Sequence, residues 1–128
     1  MRSILAIALL LPALLFPTGA AAGPEEEIAH LLPYIEQSDC VFTRNGKEYS
    51  GAEAQEHIRT KYDYVKRKVK RAEEFIEYAA TKSSMTGRPY LVRCGEEELL
   101  TAEWLKAELA EFRQSPGEAA APDKISAP

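Results

Sequence analysis

The chain has 128 residues, with 20 acidic against 16 basic side chains and a formal net charge of −4. That length suits one small domain rather than two, and the acidic balance argues against a nucleic-acid partner. Two histidines and two cysteines, far apart in sequence, exclude a clustered Cys/His metal site, and neither a phosphate loop nor a dinucleotide fingerprint is present.

Met1-Arg-Ser precedes an apolar run from Ile4 to Phe16, then Pro17-Thr-Gly and Ala20-Ala-Ala22. A short positive start, an apolar stretch below the roughly 20 residues a spanning helix needs, and small residues at a cleavage point describe a secretory signal peptide. The expectation is cleavage after Ala22, a periplasmic or secreted product and no stable membrane span once the signal is gone. Residues 23–114 would then form the domain, and the Ala/Pro-rich stretch 115–128 a disordered tail.

Pro24 followed by Glu25, Glu26 and Glu27 suits a helix start, with proline at its first position and acids at the positive end of the dipole. Ile28, Leu31, Leu32 and Ile35 give it one apolar face, and Pro33 is expected to kink or split it. Next, Asn45-Gly46 between Cys40-Val-Phe-Thr-Arg44 and Lys47-Glu-Tyr49 reads as a hairpin with a type I′ turn. Counting outward from the turn pairs Arg44 with Lys47, Thr43 with Glu48 and Phe42 with Tyr49, and alternation puts Cys40 on the face of Phe42. Ser50-Gly-Ala-Glu53 has the form of a capping box.

From Ala54 through Ile58, Tyr62, Val65, Val69, Ala72, Ile76 and Ala79 the apolar steps run 4, 4, 3, 4, 3, 4, 3. This periodicity predicts one long amphipathic helix from Ser50 nearly to Thr81. Lys82-Ser-Ser-Met-Thr-Gly-Arg-Pro89 is a connection, Tyr90 to Cys94 a strand, Gly95 to Glu98 a turn and Leu99-Leu100 a short returning strand. Thr101 reads as the N-cap of a last helix carrying Leu105, Leu109 and Phe112 on one face, with Trp104 beside it. The fold class is therefore α+β, with helices packed on a small antiparallel sheet in the order helix, hairpin, long helix, hairpin, helix. In an oxidising compartment the even pair Cys40 and Cys94 is most simply one disulfide, and closing so long a loop would stabilise the domain by roughly 4 kcal/mol.

Several motifs together resemble those of a family of small secreted bacterial proteins known as domain of unknown function 5329: Ser38-x-Cys-x-Phe-x-Arg-Asn-Gly46, His57-x-x-x-Lys-Tyr62, Phe75-Ile76, Ser83-Ser-x-Thr-Gly-x-Pro-Tyr90 and Trp104-Leu105. The resemblance covers the chain from about Glu27 to Phe112. It implies secretion and one domain, is compatible with a bond between Cys40 and Cys94, and implies no activity.

Two stretches offer binding chemistry. Between Arg59 and Arg71 there are seven basic residues and one acid, Asp63, a local charge of +6. On a continuous helix Arg59, Lys66 and Lys70 fall on one side of the apolar seam, within about 40° of one another, where they would hold an anionic group or polymer, or remain a solvated face paired with Glu73, Glu74 and Glu77. In the 82–89 connection Ser84, Thr86 and Arg88 would line a small anion or sugar pocket, or serve only to close the helix end and set the turn. Catalytic residues do not emerge. His57 would lie about 40 Å from Ser83 along the predicted helix, so that a dyad requires the helix to be broken. Lys61 and Tyr62, one turn from His57, can join it in a polar cluster, and Glu26 with His30 and Glu53 with His57 are i, i+4 pairs. Neither a metal nor a cofactor is called for.

The reading that follows is a non-enzymatic module of the bacterial envelope that binds a protein or an anionic envelope component. The alternative is a small hydrolase of cell-wall glycan or peptide. The hydrolase requires a concave pocket gathering His57 or a carboxylate with hydroxyls, whereas the binding module requires a shallow charged surface. A third reading dispenses with a ligand and keeps only the fold.

Overall fold

A computed structural model of the chain describes Pro12 and residues 21–115. The leader expected over Met1–Ala22 and the tail expected over 115–128 lie, but for Pro12, Ala21, Ala22 and Ser115, outside the described residues. The elements in order are α1 (Pro24–Gln37), β1 (Val41–Arg44), β2 (Lys47–Tyr49), α2 (Gly51–Val65), a 3-10 turn (Lys66–Lys68), α3 (Ala72–Ala79), β3 (Leu91–Cys94), β4 (Glu97–Leu100) and α4 (Thr101–Gln114).

The strands form one four-stranded antiparallel sheet in the order β2-β1-β3-β4, so the two hairpins meet along β1 and β3. Asn45 and Gly46 take φ of 52° and 78°, the left-handed values a type I′ turn demands, and the turn sets the pairing of Phe42 with Tyr49, Thr43 with Glu48 and Arg44 with Lys47. Phe42 lies opposite Val92, and both are buried beneath the helices. Just beyond that pair, Cys40 and Cys94 form the disulfide across β1 and β3.

The helices bury Leu31, Ile35, Phe75, Ile76, Leu105 and Leu109 in one core. Trp104 stacks on Tyr34 of α1 at 4.6 Å between ring centroids and meets the Phe42 ring edge-on at 5.5 Å, which ties α4 to α1 and to the sheet. The capping box at α2 is complete: the Glu53 N–H donates to Ser50 Oγ and the Ser50 N–H to Glu53 Oε1. Gly51 follows, and a Cβ there would stand 2.4 Å from the Ile35 carbonyl oxygen. Only glycine lets α2 start this close to the end of α1.

Three local expectations are corrected. The long helix is broken: α2 ends at Val65, Val69 is extended (φ −83°, ψ 112°), and α3 starts after Arg71. A helix spanning residues 50–81 would be about 48 Å long against about 21 Å for α1, and could not lay both halves on one small core. By folding back, α2 and α3 bury Ile58, Tyr62, Phe75 and Ile76 together. The break falls where Lys66, Arg67, Lys68, Lys70 and Arg71 would stack like charges four residues apart, and Glu73 and Glu74 stand in the first turn of α3, where acids favour a new start. Pro33 does not split α1; it and Ala29, whose carbonyl it leaves unbonded, are both exposed to water. Thr101 is not an N-cap. Leu100 caps α4 with extended backbone, and the Thr101 side chain turns inward with its N–H donated to the Tyr90 carbonyl at 2.9 Å.

Candidate functional site

Strand alternation that points Phe42 into the core also puts Arg44 on the inner side of β1, at the end of the hairpin. The break after Val65 leaves α2 short enough to cross that end with His57 and Lys61, one turn apart. The loop after α3 is then drawn back over the hairpin, and Tyr90 arrives at the start of β3 beside them.

The side chains form a continuous chain. Arg44 Nη2 donates to Tyr49 Oη at 3.0 Å. Arg44 Nη1 lies 3.2 Å from His57 Nε2 and 3.4 Å from Nδ1. Near-equal reach to both ring nitrogens is possible only from above the ring, so Nη1 sits over the face of the imidazole rather than bonding in its plane. Lys61 Nζ donates to Tyr90 Oη at 3.0 Å and to the Lys82 carbonyl at 2.7 Å. Tyr90 Oη, having accepted from Lys61, has its own proton to give to His57 Nε2 at 3.1 Å, which leaves the imidazole proton on Nδ1.

The electrostatics follow from that arrangement. Burial, with Arg44 and Lys61 nearby, holds the His57 pKa below the ordinary histidine value, so the ring is neutral. Burial and the Arg44 charge lower that of Lys61, and burial raises the Tyr90 phenol. Neither Arg44 nor Lys61 has a carboxylate partner among the described residues. Glu53 of α2 is occupied in the capping box. Two cations thus share one half-buried patch in which they bond only neutral groups, with Glu53 beside it committed to the cap of α2. Beneath Arg44, Tyr49, His57 and Tyr90 lies a recess of about 30 Å³, lined further by Phe42, Thr43, Glu53, Ala54, Ile58 and Thr101.

The expected site residues are scattered. Arg59 stands over a separate depression beside Leu32 and Tyr62, Lys66 lies 5.5 Å from the Tyr62 ring in the 3-10 turn, and Lys70 sits in the extended bend. The broken helix therefore leaves no single row of these three. In the connecting loop, Thr86 Oγ1 donates to Asn45 Oδ1 at 2.6 Å while Asn45 Nδ2 donates to Ser83 Oγ at 3.2 Å. Ser83 Oγ also accepts from the N–H groups of Met85 and Thr86. These hydroxyls tie the loop to the hairpin turn, a contact that neither of the two expected roles included. Ser84 faces a groove beside Lys61, Lys68, Tyr78 and Lys82, and Arg88 reaches back over the Gly46 turn.

His57 finds Tyr90 and Arg44 in place of Glu53, and Lys61 joins it as expected while Tyr62 turns into the core against Phe75. His30 passes over Glu26 and bonds Glu108 on α4 at 2.6 Å. Among the described residues, no group of three or more His, Cys, Asp or Glu converges, and no helix is long and apolar enough to cross a membrane.

The model of the family of unknown function DUF5329 matches residues 22–113. The chain belongs to that family. The match spans every element described above but for Gln114 at the end of α4, and includes Arg44, His57, Lys61 and Tyr90. The chain is also 35% identical over 80 residues to the uncharacterized protein YfeK of Salmonella typhimurium strain LT2, covering 60% of this chain and 67% of that one. No solved structure matches.

Proposed function

We propose that this member of DUF5329 is an exported, non-enzymatic binding module of the bacterial cell envelope whose ligand presents an anionic group to Arg44 and Lys61. The observation that carries the reading is that those two cations, in a half-buried patch, have only neutral hydrogen-bond partners, while Glu53 at the edge of the recess is bound in the cap of α2. Bringing like charges together is unfavourable unless an anion compensates them, and guanidinium donors left free beside tyrosine hydroxyls suit a carboxylate or phosphate oxygen. Export rests on the layout of Met1–Ala22 and accords with a disulfide-bonded fold. The mass of the mature protein from an exporting host tests it, with Gly23 as the expected first residue.

The recess meets one condition of the hydrolase alternative, a concavity with His57 and hydroxyls. Yet among the described residues no carboxylate bonds His57, Ser83 spends its hydroxyl on the loop, and about 30 Å³ is far too small for a sugar ring. Binding is the better-supported reading.

The test is a titration of the disulfide-bonded protein with inorganic phosphate and with acetate, followed by NMR shifts. Saturable shifts centred on His57, Lys61 and Tyr90 are expected, and Arg44→Met should weaken binding at least ~10-fold. Shifts that are absent, or equal in the variant, contradict it.

A further inference from the structure

Thr101 is fully buried, lines the recess, and its Oγ1 has no hydrogen-bond partner. An orphaned buried hydroxyl is rare, because losing water without a replacement bond is costly. It is the only such side-chain atom among the described residues. Of the groups lining the recess with it, Phe42, Ala54 and Ile58 are apolar, Arg44, Tyr49, His57 and Tyr90 are engaged with one another, and Glu53 is engaged in the cap of α2. The recess exceeds the roughly 10–15 Å³ that a single small occupant needs. It therefore admits a group of one or two heavy atoms carrying one polar atom.

We propose that the site takes a short 2-hydroxy or 2-oxo carboxylate: the carboxylate lies at the rim against Arg44 and Lys61, and the neighbouring carbon with its uncharged oxygen enters the recess to bond Thr101 Oγ1. The proposal rests on the anion-binding reading of the same site. Each part of the ligand answers one feature. The carboxylate supplies the charge that the cations lack. The short carbon segment covers an apolar floor. The oxygen satisfies a hydroxyl that can donate or accept. A 2-amino acid matches in size, but its ammonium would be set beside two cations, with Glu53, already held in the cap of α2, as the one carboxylate lining the recess, and an acid with a bulky side chain exceeds the recess.

The experiment compares the dissociation constants of lactate, pyruvate, propionate, alanine and phenyllactate for the intact, disulfide-bonded protein, with inorganic phosphate as reference. Lactate or pyruvate should bind about 10-fold more tightly than propionate, which lacks the oxygen, and more tightly than alanine or phenyllactate. In Thr101→Val, close in shape and lacking the hydroxyl, the preference of lactate over propionate should vanish while phosphate binding persists. Thr101→Ser, which keeps the hydroxyl, should retain the preference. Equal binding of lactate and propionate, or a preference that survives in Thr101→Val, overturns the proposal and leaves the anion site standing. Failure of phosphate and every acid to bind overturns both.

Discussion

Two arginines reach across this fold to distant partners, and they end in opposite surroundings. Arg113, in the last turn of α4, donates through Nε and Nη2 to Glu27 of α1 and through Nη1 and Nη2 to Glu73 of α3, at 2.7–3.1 Å. Arg44, at the end of β1, meets a tyrosine hydroxyl and the face of a neutral histidine. The first arrangement is electrostatically complete and joins three helices. The second leaves charge uncompensated beside Lys61, where a packed core has no use for it. The contrast separates an arginine that holds the fold from one that waits for a ligand.

The largest expected effect lies on the complete side. Arg113→Met leaves the buried Glu27 carboxylate without a partner and should lower the unfolding free energy by about 3 kcal/mol, measured by chemical denaturation. Arg44→Met strands no buried carboxylate, so its loss should stay within about 1 kcal/mol while anion affinity falls. Equal losses for the two would erase the distinction. A smaller effect appears with acid. Hydrogen bonds from Arg113 hold the Glu73 carboxyl at about 2, against the usual 4.5. A depressed folded value means that the unfolded chain takes up the proton first, so this contribution is complete above about 4.5 and fades as pH falls towards about 2. Acid unfolding should thus lose part of its steepness in Arg113→Met, because the largest cause of the lowered Glu73 value is then gone.

The same contrast marks what could be read from the sequence. Features set by a few neighbouring residues were legible: the Asn45-Gly46 turn and its register, the Ser50-Glu53 capping box, the start of α1 at Pro24, and the apolar face of α4. The break at residues 66–71 was hidden because the apolar steps stay in helical phase across it, from Val65 to Val69 to Ala72. Its cause is the size of the core, which periodicity does not report, although the run of like charges followed by Glu73-Glu74 was a visible signal. That single misreading displaced the site. A straight helix put the basic residues in a row and His57 far from the loop, whereas the folded-back chain brings Tyr90 to His57 and Lys61. Arg44 was within reach, since alternation from Phe42 assigns it to the buried side of β1, where an arginine calls for explanation. Thr101 was not: whether a threonine before a helix caps it or turns inward depends on the strand that precedes it.

The most direct measurement is the titration of His57 by NMR, with and without saturating phosphate. In the free protein burial and the two cations should hold its pKa below the usual histidine value, so that stability declines as pH falls through about 6.5, where the unfolded chain takes up the proton first. An anion seated against Arg44 and Lys61 offsets their charge, and the account predicts that phosphate raises the His57 pKa. A His57 pKa that phosphate leaves unmoved would contradict it.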